Sequence, residues 1–168
     1  MKIGILGGSF DPAHKGHLAI SKEAKKRFKL EKIIWAITKR NPLKAESKTP
    51  ISKKIKDCKK IIGINSFIKV KFYENIIKSN KTIDLIKYLK KNRNIEIFFL
   101  MGADNLISFH KWHKSELISQ KCNIIVFDRH GYKKNSLKSK TFKRLNNKTL
   151  TFVEFKKVNI SSSQLRKI

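Results

Sequence analysis

The sequence predicts a doubly wound α/β fold, an open parallel sheet with helices on both faces, formed by a single domain over residues 1–168. Three observations support this. Short apolar strand patterns alternate with helical patterns along the chain. Residues 95–101 are an almost unbroken apolar run, typical of a central parallel strand covered on both faces. The length of 168 residues suits one domain with a real core.

The elements follow one another in a regular order. A glycine pair ends the strand of residues 2–6, and the next segment is a helix with Ile20, Ala24 and Phe28 on one face. The elements predicted after it are a strand at 32–38, a helix at 51–62, strands at 67–72 and 95–101 around a helix at 82–91, a helical stretch at 112–119 and a strand at 123–128. The Lys-rich residues 133–148 have little periodicity and are expected to be a solvated surface excursion.

In such a sheet, ligands bind outside the carboxyl ends of the strands. The loops after residues 6, 38, 101 and 128 are therefore expected to gather in one cleft. No apolar run is long enough to span a bilayer. Cys58 and Cys122 lack metal-site spacing and the chain begins without a secretory signal, so a cytoplasmic location is expected.

The chain is strongly basic, with 40 Lys and Arg against 12 Asp and Glu and a formal charge of +28. Only six of the basic residues are Arg, the side chain that contacts bases and phosphates in a bidentate way. Lys also accompanies heavy use of Ile and Asn, which share AT-rich codons with it. Genome composition therefore explains the charge better than a specific nucleic-acid groove, although the field should attract nucleotides.

The turn after the first strand carries the strongest chemical signal. Gly7 and Gly8 permit close backbone approach, and amides at the start of the next helix favour an anion, so phosphate is the expected ligand. His14 and His17 are three residues apart and share one face of that helix start. Both imidazoles can then donate hydrogen bonds to the same anion.

Two segments together resemble the nucleotidyltransferases of the HxGH superfamily, which share a Rossmann-like sheet. The first is the Gly-Gly, Phe-Asp-Pro and His-x-Gly-His series that follows the first strand. The second is Ile160-Ser161-Ser162-Ser163 with Arg166, which also has a capping-box pattern from Ser161 to Gln164. In that superfamily a similar segment opens a helix that holds the phosphates of ATP.

The middle of the chain is similar to the bacterial nicotinate-nucleotide adenylyltransferases. The similarity rests on Gly102-Ala103-Asp104, on Trp112, and on matches at residues 41–44, 82–84 and 129–132. Taken singly, Thr82 and Asp104 also fit helix N-caps, and Trp112 also fits core packing. The sequence departs from the family at Lys39 and His130, where relatives often have proline, and it stops two residues after Arg166, where relatives usually continue.

The resemblance implies transfer of AMP from ATP to nicotinate mononucleotide, with magnesium, giving deamido-NAD and pyrophosphate. The residues implied for the triphosphate are His14, His17, Arg166, Ser162, Ser163 and the backbone of Gly8, Ser9 and Phe10. Those implied for the adenosine ribose are Gly102 and Asp104, and those for the pyridine ring are Thr82, Trp112 and His113. Lys44 is the candidate contact to the phosphate of the mononucleotide.

Two other functions stay open at this point. Phosphopantetheine adenylyltransferase has a similar first motif and a similar Ser-Ser-Ser segment, but it does not place Gly102-Ala103-Asp104 and Trp112 in this way. A basic nucleic-acid-binding module would account for the charge, but the sequence shows no regularly spaced aromatic and Arg residues. An enzyme that keeps the fold and has lost its activity is the third reading.

Overall fold

Six parallel strands form the centre of the molecule in a computed structural model that describes residues 1–39, 48–92 and 94–155. Their order across the sheet is β3-β2-β1-β4-β5-β6. The strands are β1 (Lys2–Gly8), β2 (Lys32–Ile37), β3 (Ile68–Lys71), β4 (Glu96–Gly102), β5 (Asn123–Phe127) and β6 (Leu150–Val153). The order reverses between β1 and β4, so this pair marks the point where an open parallel sheet binds its ligands.

Helices cover both faces of the sheet, which confirms the predicted doubly wound fold. They are α1 (Lys15–Phe28), α2 (Ile51–Ile62), α3 (Glu74–Ile77), α4 (Thr82–Leu89), α5 (Ala103–Ser108), a 3-10 turn (Phe109–Lys111), α6 (Ser115–Lys121), α7 (Lys133–Leu137) and α8 (Lys140–Leu145). One hydrophobic core includes side chains of α1 and α2, and the other includes side chains of α4, α5, α6 and α8. In the described part of the chain, no helix is both long and apolar enough to cross a membrane.

Alternation along β4 shows how one apolar run serves both cores. Phe98 and Leu100 pack on the face that α1 and α2 cover, whereas Phe99 and Met101 pack on the opposite face. Successive side chains of a strand point to opposite faces. In a strand buried on both sides, every side chain therefore faces a core and is apolar. This is why residues 95–101 read as a nearly continuous apolar segment.

The expectation for residues 133–148 is wrong, because this segment forms α7 and α8. Ser136 and Thr141 are buried, and Leu145 joins the core beneath α5. Helices of five and six residues are too short to display a full apolar period among so many lysines. The strand β6 that follows also went unpredicted, and the helical stretch expected at 112–119 begins later, at Ser115.

A buried hydrogen-bond chain fixes the start of α1 against the sheet. The indole Nε1 of Trp35, in β2, donates to Ser21 Oγ at 2.8 Å. The Ser21 hydroxyl in turn donates to the carbonyl of His17 at 2.8 Å. Trp35 and Ser21 are both fully buried. Because a buried polar group without a partner is costly, this chain holds the first turn of α1 at a set distance from β2.

We expect Ser21→Ala to lower the free energy of unfolding by about 1–3 kcal/mol, because the Trp35 indole N–H is left buried without its acceptor. Urea unfolding followed by far-UV circular dichroism measures the change. Ser52→Ala, at an exposed position of α2, is the matched control and should shift stability by less than about 0.5 kcal/mol. Equal stability of the two variants would show that the indole finds another partner.

Candidate active site

The glycine turn, residues 7–10, begins with the last two residues of β1 and ends with a residue in the left-handed backbone region. Phe10 has a φ of 48°, and its ring is buried and stacked on Trp35 with centroids 5.1 Å apart. A bulky residue rarely adopts this backbone region, and here the buried ring stabilises it. Since the Phe10 side chain belongs to the core, the backbone is the part of this residue available to a ligand.

His14 and His17 cap α1 reciprocally through their Nδ1 atoms. The amide N–H of Gly16 donates to His14 Nδ1 at 3.0 Å, and the amide N–H of His14 donates to His17 Nδ1 at 3.1 Å. This is a capping box in which imidazoles take the places usually held by Ser or Thr and by Glu or Gln. Each Nδ1 acts as an acceptor, so in the neutral ring the proton lies on Nε2.

Both imidazoles are neutral at physiological pH. Burial, followed by the charge of Arg129, lowers the pKa of His14 to about 4. Burial, followed by the nearby His14 and Arg129, lowers the pKa of His17 well below its usual range. The ring centroids are 3.9 Å apart, so protonation of one ring would oppose protonation of the other. The pair therefore presents two neutral Nε2–H donors.

Arg129, which follows β5, lies beside the carboxyl end of β4. Its Nη1 donates to Asp104 Oδ2 at 2.9 Å. A Cβ at Gly102 would be 2.6 Å from Asp104 Oδ1 and 3.4 Å from the Arg129 guanidinium carbon, so a larger residue here would force the Asp104 carboxylate to shift. Asp104 Oδ1 is buried and has no hydrogen-bond partner among the described residues. That oxygen keeps its capacity to accept a hydrogen bond.

A cavity of about 330 Å³ lies at the carboxyl ends of β1 and β2, beside the glycine turn. Gly8 and Ser9 line one part of it, and Thr82, Trp112 and His113 line another. The end of β2, the segment around α3 and the residues Lys81 and Lys111 complete its walls. Of the four loops predicted to share one cleft, those after residues 6 and 101 contribute lining residues and Thr38 lines the cavity at the end of β2, whereas no described residue after residue 128 lines it.

Trp112 both packs against the core and lines this cavity. Its ring meets Phe99 edge-on at 5.9 Å and Phe109 at 5.2 Å, and the side chain is half-buried. The helix predicted to begin at Thr82 does begin there, but the residue that caps it is Lys81, and the cap of α5 is Gly102. Thr82 and Asp104 are thus not the N-caps that their sequence patterns also allowed.

Five of the sequence-derived site residues line this cavity, namely Gly8, Ser9, Thr82, Trp112 and His113, whereas Phe10, His14, His17, Gly102 and Asp104 are not among its lining residues. His14 and His17 follow the glycine turn, and Gly102 and Asp104 lie beside Arg129. Those outside the described residues are Lys44, Ser162, Ser163 and Arg166. Lys39, where the family often has proline, donates its amide N–H to Glu74 at 3.0 Å.

Two charged residues of the cleft were missed as site residues. The sequence motif that contains Arg129 assigns this residue no function. No sequence pattern singles out Glu74. The available signal for each was its position just after a predicted strand, because polar residues at the carboxyl ends of parallel strands face the ligand cleft. Charge alone gave no signal in so basic a chain.

Comparison with known proteins first defines the class. The profile of the cytidylyltransferase-like family matches residues 5–168, and the chain belongs to that family. A relative from Pelagibacter ubique strain HTCC1062, named "Probable nicotinate-nucleotide adenylyltransferase", is 66% identical over 167 residues, which is 99% of this chain and 93% of the relative. Within the class the chain accordingly belongs to the nicotinate-nucleotide adenylyltransferases, and it is a nucleotidyltransferase.

Solved structures agree on the fold. Two structures of Plasmodium falciparum nicotinic acid mononucleotide adenylyltransferase, complexed with NaAD and with APC, each match with a TM-score of 0.80. Their sequences are 24% and 25% identical, and the match covers 99% of this chain and 82% of theirs. The six-stranded parallel sheet with helices on both faces is therefore the architecture of these enzymes as well.

The depressed pKa of His14 makes stability depend on pH. Between the ordinary value of 6.5 and about 4, the unfolded chain binds a proton that the native ring does not, so stability falls as the pH falls through this window. We expect the free energy of unfolding of the wild type to fall by on the order of 2–3 kcal/mol across this pH window because of His14.

His14→Asn, which keeps a cap acceptor without titrating, should make this part of the profile less steep and leave the part that His17 contributes. The measurement is urea unfolding at a series of pH values from 7 to about 4. His130→Gln, at an exposed position, is the control and should follow the wild type. A His14→Asn profile as steep as that of the wild type would contradict the assigned neutrality of His14.

Proposed function

We propose that the chain transfers AMP from ATP to nicotinate mononucleotide, releasing pyrophosphate and forming deamido-NAD. The observation that carries this proposal is the single cavity that joins the glycine turn, beside two neutral imidazoles, to the walls formed by Thr82 and Trp112. A donor and an acceptor nucleotide can meet in it. The family membership and the NaAD and ATP-analogue complexes of the Plasmodium falciparum enzyme support the same reaction.

The donor half of the cleft suits ATP. Backbone groups of Gly8, Ser9 and Phe10 and the Nε2–H groups of the two histidines would hold its phosphates. The unpartnered Oδ1 of Asp104 would accept a hydrogen bond from a ribose hydroxyl, with Arg129 holding the carboxylate in place. Ser162, Ser163 and Arg166 remain proposed phosphate contacts on the strength of the family resemblance alone.

The acceptor half suits a pyridine carboxylate. The indole of Trp112 lines the cavity and offers a flat surface for stacking on the ring. The amino end of α4, at Thr82, and the cations of Lys81 and Lys111 would favour a carboxylate over a neutral carboxamide. His113 completes this wall through its backbone, and Lys44 is the proposed contact to the mononucleotide phosphate.

The reaction needs alignment and charge stabilisation more than proton transfer. A phosphate oxygen of the mononucleotide forms a bond to the α-phosphorus of ATP while the bond from that phosphorus to the bridging oxygen of pyrophosphate breaks. The attacking oxygen is already an anion near neutral pH, so no general base is required. Negative charge grows on the leaving pyrophosphate, where His14 and His17 can donate hydrogen bonds without first losing or gaining a proton.

Magnesium would enter as part of the donor substrate. Within the described ranges there is no group of three or more His, Cys, Asp or Glu side chains placed to hold a metal. Mg²⁺ commonly binds through substrate phosphates and keeps several waters, so the site fits an ion carried by ATP. When bound, it would neutralise part of the phosphate charge.

Location and other partners follow from weaker observations. Cys58 and Cys122 are buried free thiols, which fits a reducing cytoplasm. Burial raises the pKa of both thiols to about 12, which keeps them protonated and unreactive. The proposal includes no specific nucleic-acid partner and no membrane partner, because the basic charge consists almost entirely of Lys.

The decisive experiment offers three acceptors in turn with ATP and magnesium, and measures pyrophosphate release. Nicotinate mononucleotide is expected to be used most efficiently. It should be preferred over nicotinamide mononucleotide by about tenfold or more if the binding free energies of the two differ by at least about 1.4 kcal/mol. The third acceptor is phosphopantetheine. Preference for phosphopantetheine would instead indicate a phosphopantetheine adenylyltransferase. Absence of pyrophosphate release with all three acceptors would reject the proposed reaction.

We expect His17→Ala to lower kcat by about 100-fold or more, because a preorganised donor aimed at developing charge contributes about 3 to 4 kcal/mol. The assay is steady-state pyrophosphate release at saturating substrates. His110→Ala, at an exposed position of the 3-10 turn, provides the control for loss of an imidazole. Circular dichroism should be unchanged in both, and a His17→Ala variant with nearly full kcat would make this histidine purely structural.

A further inference from the structure

The helix α3 forms part of the cavity wall, although its own residues are not part of the hydrophobic core. It has four residues, Glu74 to Ile77, and none of them is buried. Glu74 and Ile77 nevertheless line the cavity, as does Tyr73 immediately before them. Tyr73 packs against the core and its ring lies 5.8 Å from that of Tyr88, so it holds the amino end of α3. The helix itself has no buried side chain, so the position of its remaining residues depends on other contacts.

The carboxylate of Glu74 supplies such contacts. Its Oε2 accepts a hydrogen bond from the hydroxyl of Thr38 at 2.8 Å, and its Oε1 accepts one from the amide of Lys39 at 3.0 Å. Both donors lie just after β2, more than thirty positions earlier in the chain. Hydrogen bonds to a charged acceptor are stronger than neutral ones, and two of them on one carboxylate also fix its orientation.

The backbone of Thr38 is itself fixed by hydrogen bonds to other elements. Its amide N–H donates to the carbonyl of Gly8 at 2.9 Å, which extends the pairing of β1 with β2. Its carbonyl accepts a hydrogen bond from Nζ of Lys54 at 3.4 Å, and Lys54 is a fully buried residue of α2. The backbone of Thr38 is therefore held from the sheet and from α2, independently of Glu74.

We propose that Glu74 is a positioning residue that latches α3 to the end of β2 and so sets the wall of the acceptor pocket. The latch needs one side chain that hydrogen-bonds to both Thr38 and Lys39, and it acts on the pocket without contacting the reacting atoms. The glycine turn is held through Thr38 and does not need the latch, so ATP binding is separate from it. This proposal rests on the proposed function, because it concerns how that pocket admits nicotinate mononucleotide.

The test compares Glu74→Ala with Glu74→Gln by steady-state kinetics of pyrophosphate release. Alanine removes both hydrogen bonds, and we expect KM for nicotinate mononucleotide to rise about tenfold or more. KM for ATP and kcat at saturating acceptor should stay within about twofold, since a loss of uniform binding appears in KM alone. Glutamine can still accept from the Lys39 amide and can donate to the Thr38 hydroxyl, which is both donor and acceptor. It should restore KM to near the wild-type value.

Three further variants serve as controls. Glu96→Ala removes an exposed carboxylate that accepts a hydrogen bond from Asn123 at the amino end of β4, away from the cavity, and should leave all kinetic constants unchanged. Thr38→Val removes one of the two donors to Glu74, and KM for the acceptor should rise in it while Thr38→Ser stays near the wild type. Thermal midpoints should stay close to the wild type throughout, because α3 contributes nothing to the core.

The outcomes separate the latch from the reaction. If the wild type releases no pyrophosphate with nicotinate mononucleotide, the proposed function fails and the latch falls with it. If the wild type is active and Glu74→Ala keeps the wild-type acceptor KM, the latch alone is wrong. A Glu74→Gln variant as impaired as Glu74→Ala would also overturn it, because the negative charge and not the pair of hydrogen bonds would then matter.

Discussion

Pairing of β1 with β2 and β4 is the constraint from which the cleft follows. The register with β2 runs from Ile3 opposite Lys32 to Gly8 opposite Ile37, whereas the register with β4 stops at Leu6 opposite Leu100. Beyond Leu6 the strand therefore keeps one neighbour and leaves the other. The opening between β1 and β4 begins where the two glycines lie, and the ion pair of Asp104 with Arg129 lies beside the carboxyl end of β4.

The fold was predictable because its evidence is local and repeated. A parallel strand covered on both faces has to be apolar throughout, and residues 95–101 show this directly. The turn after β1 was equally visible, since glycines and histidines at a strand end have few purely structural uses in combination. The placement of Thr82, Trp112 and His113 on one cavity followed only from resemblance to a family, because nothing in their spacing brings them together.

The features that escaped prediction depend on contacts between distant segments. Glu74 owes its position to Thr38 and Lys39, and Arg129 owes its position to Asp104, 25 residues away. No local pattern distinguishes such side chains from solvated charges in a chain of net charge +28. In the same way, α7 and α8 have too few residues to show periodicity. Their few buried side chains can be recognised only when the core that they contact is known.

The imidazole capping box has a consequence for the end of the catalytic cycle. Two neutral donors bind a phosphate oxygen by hydrogen bonds, without the full charge attraction that two imidazolium ions or lysines would add. In the proposed reaction the leaving group is a highly charged anion, and product departure often limits turnover in nucleotide enzymes. A surface so rich in lysine would retain such an anion strongly. If His14 and His17 contact the phosphates as proposed, their neutral rings would stabilise pyrophosphate as it forms and still let it diffuse away.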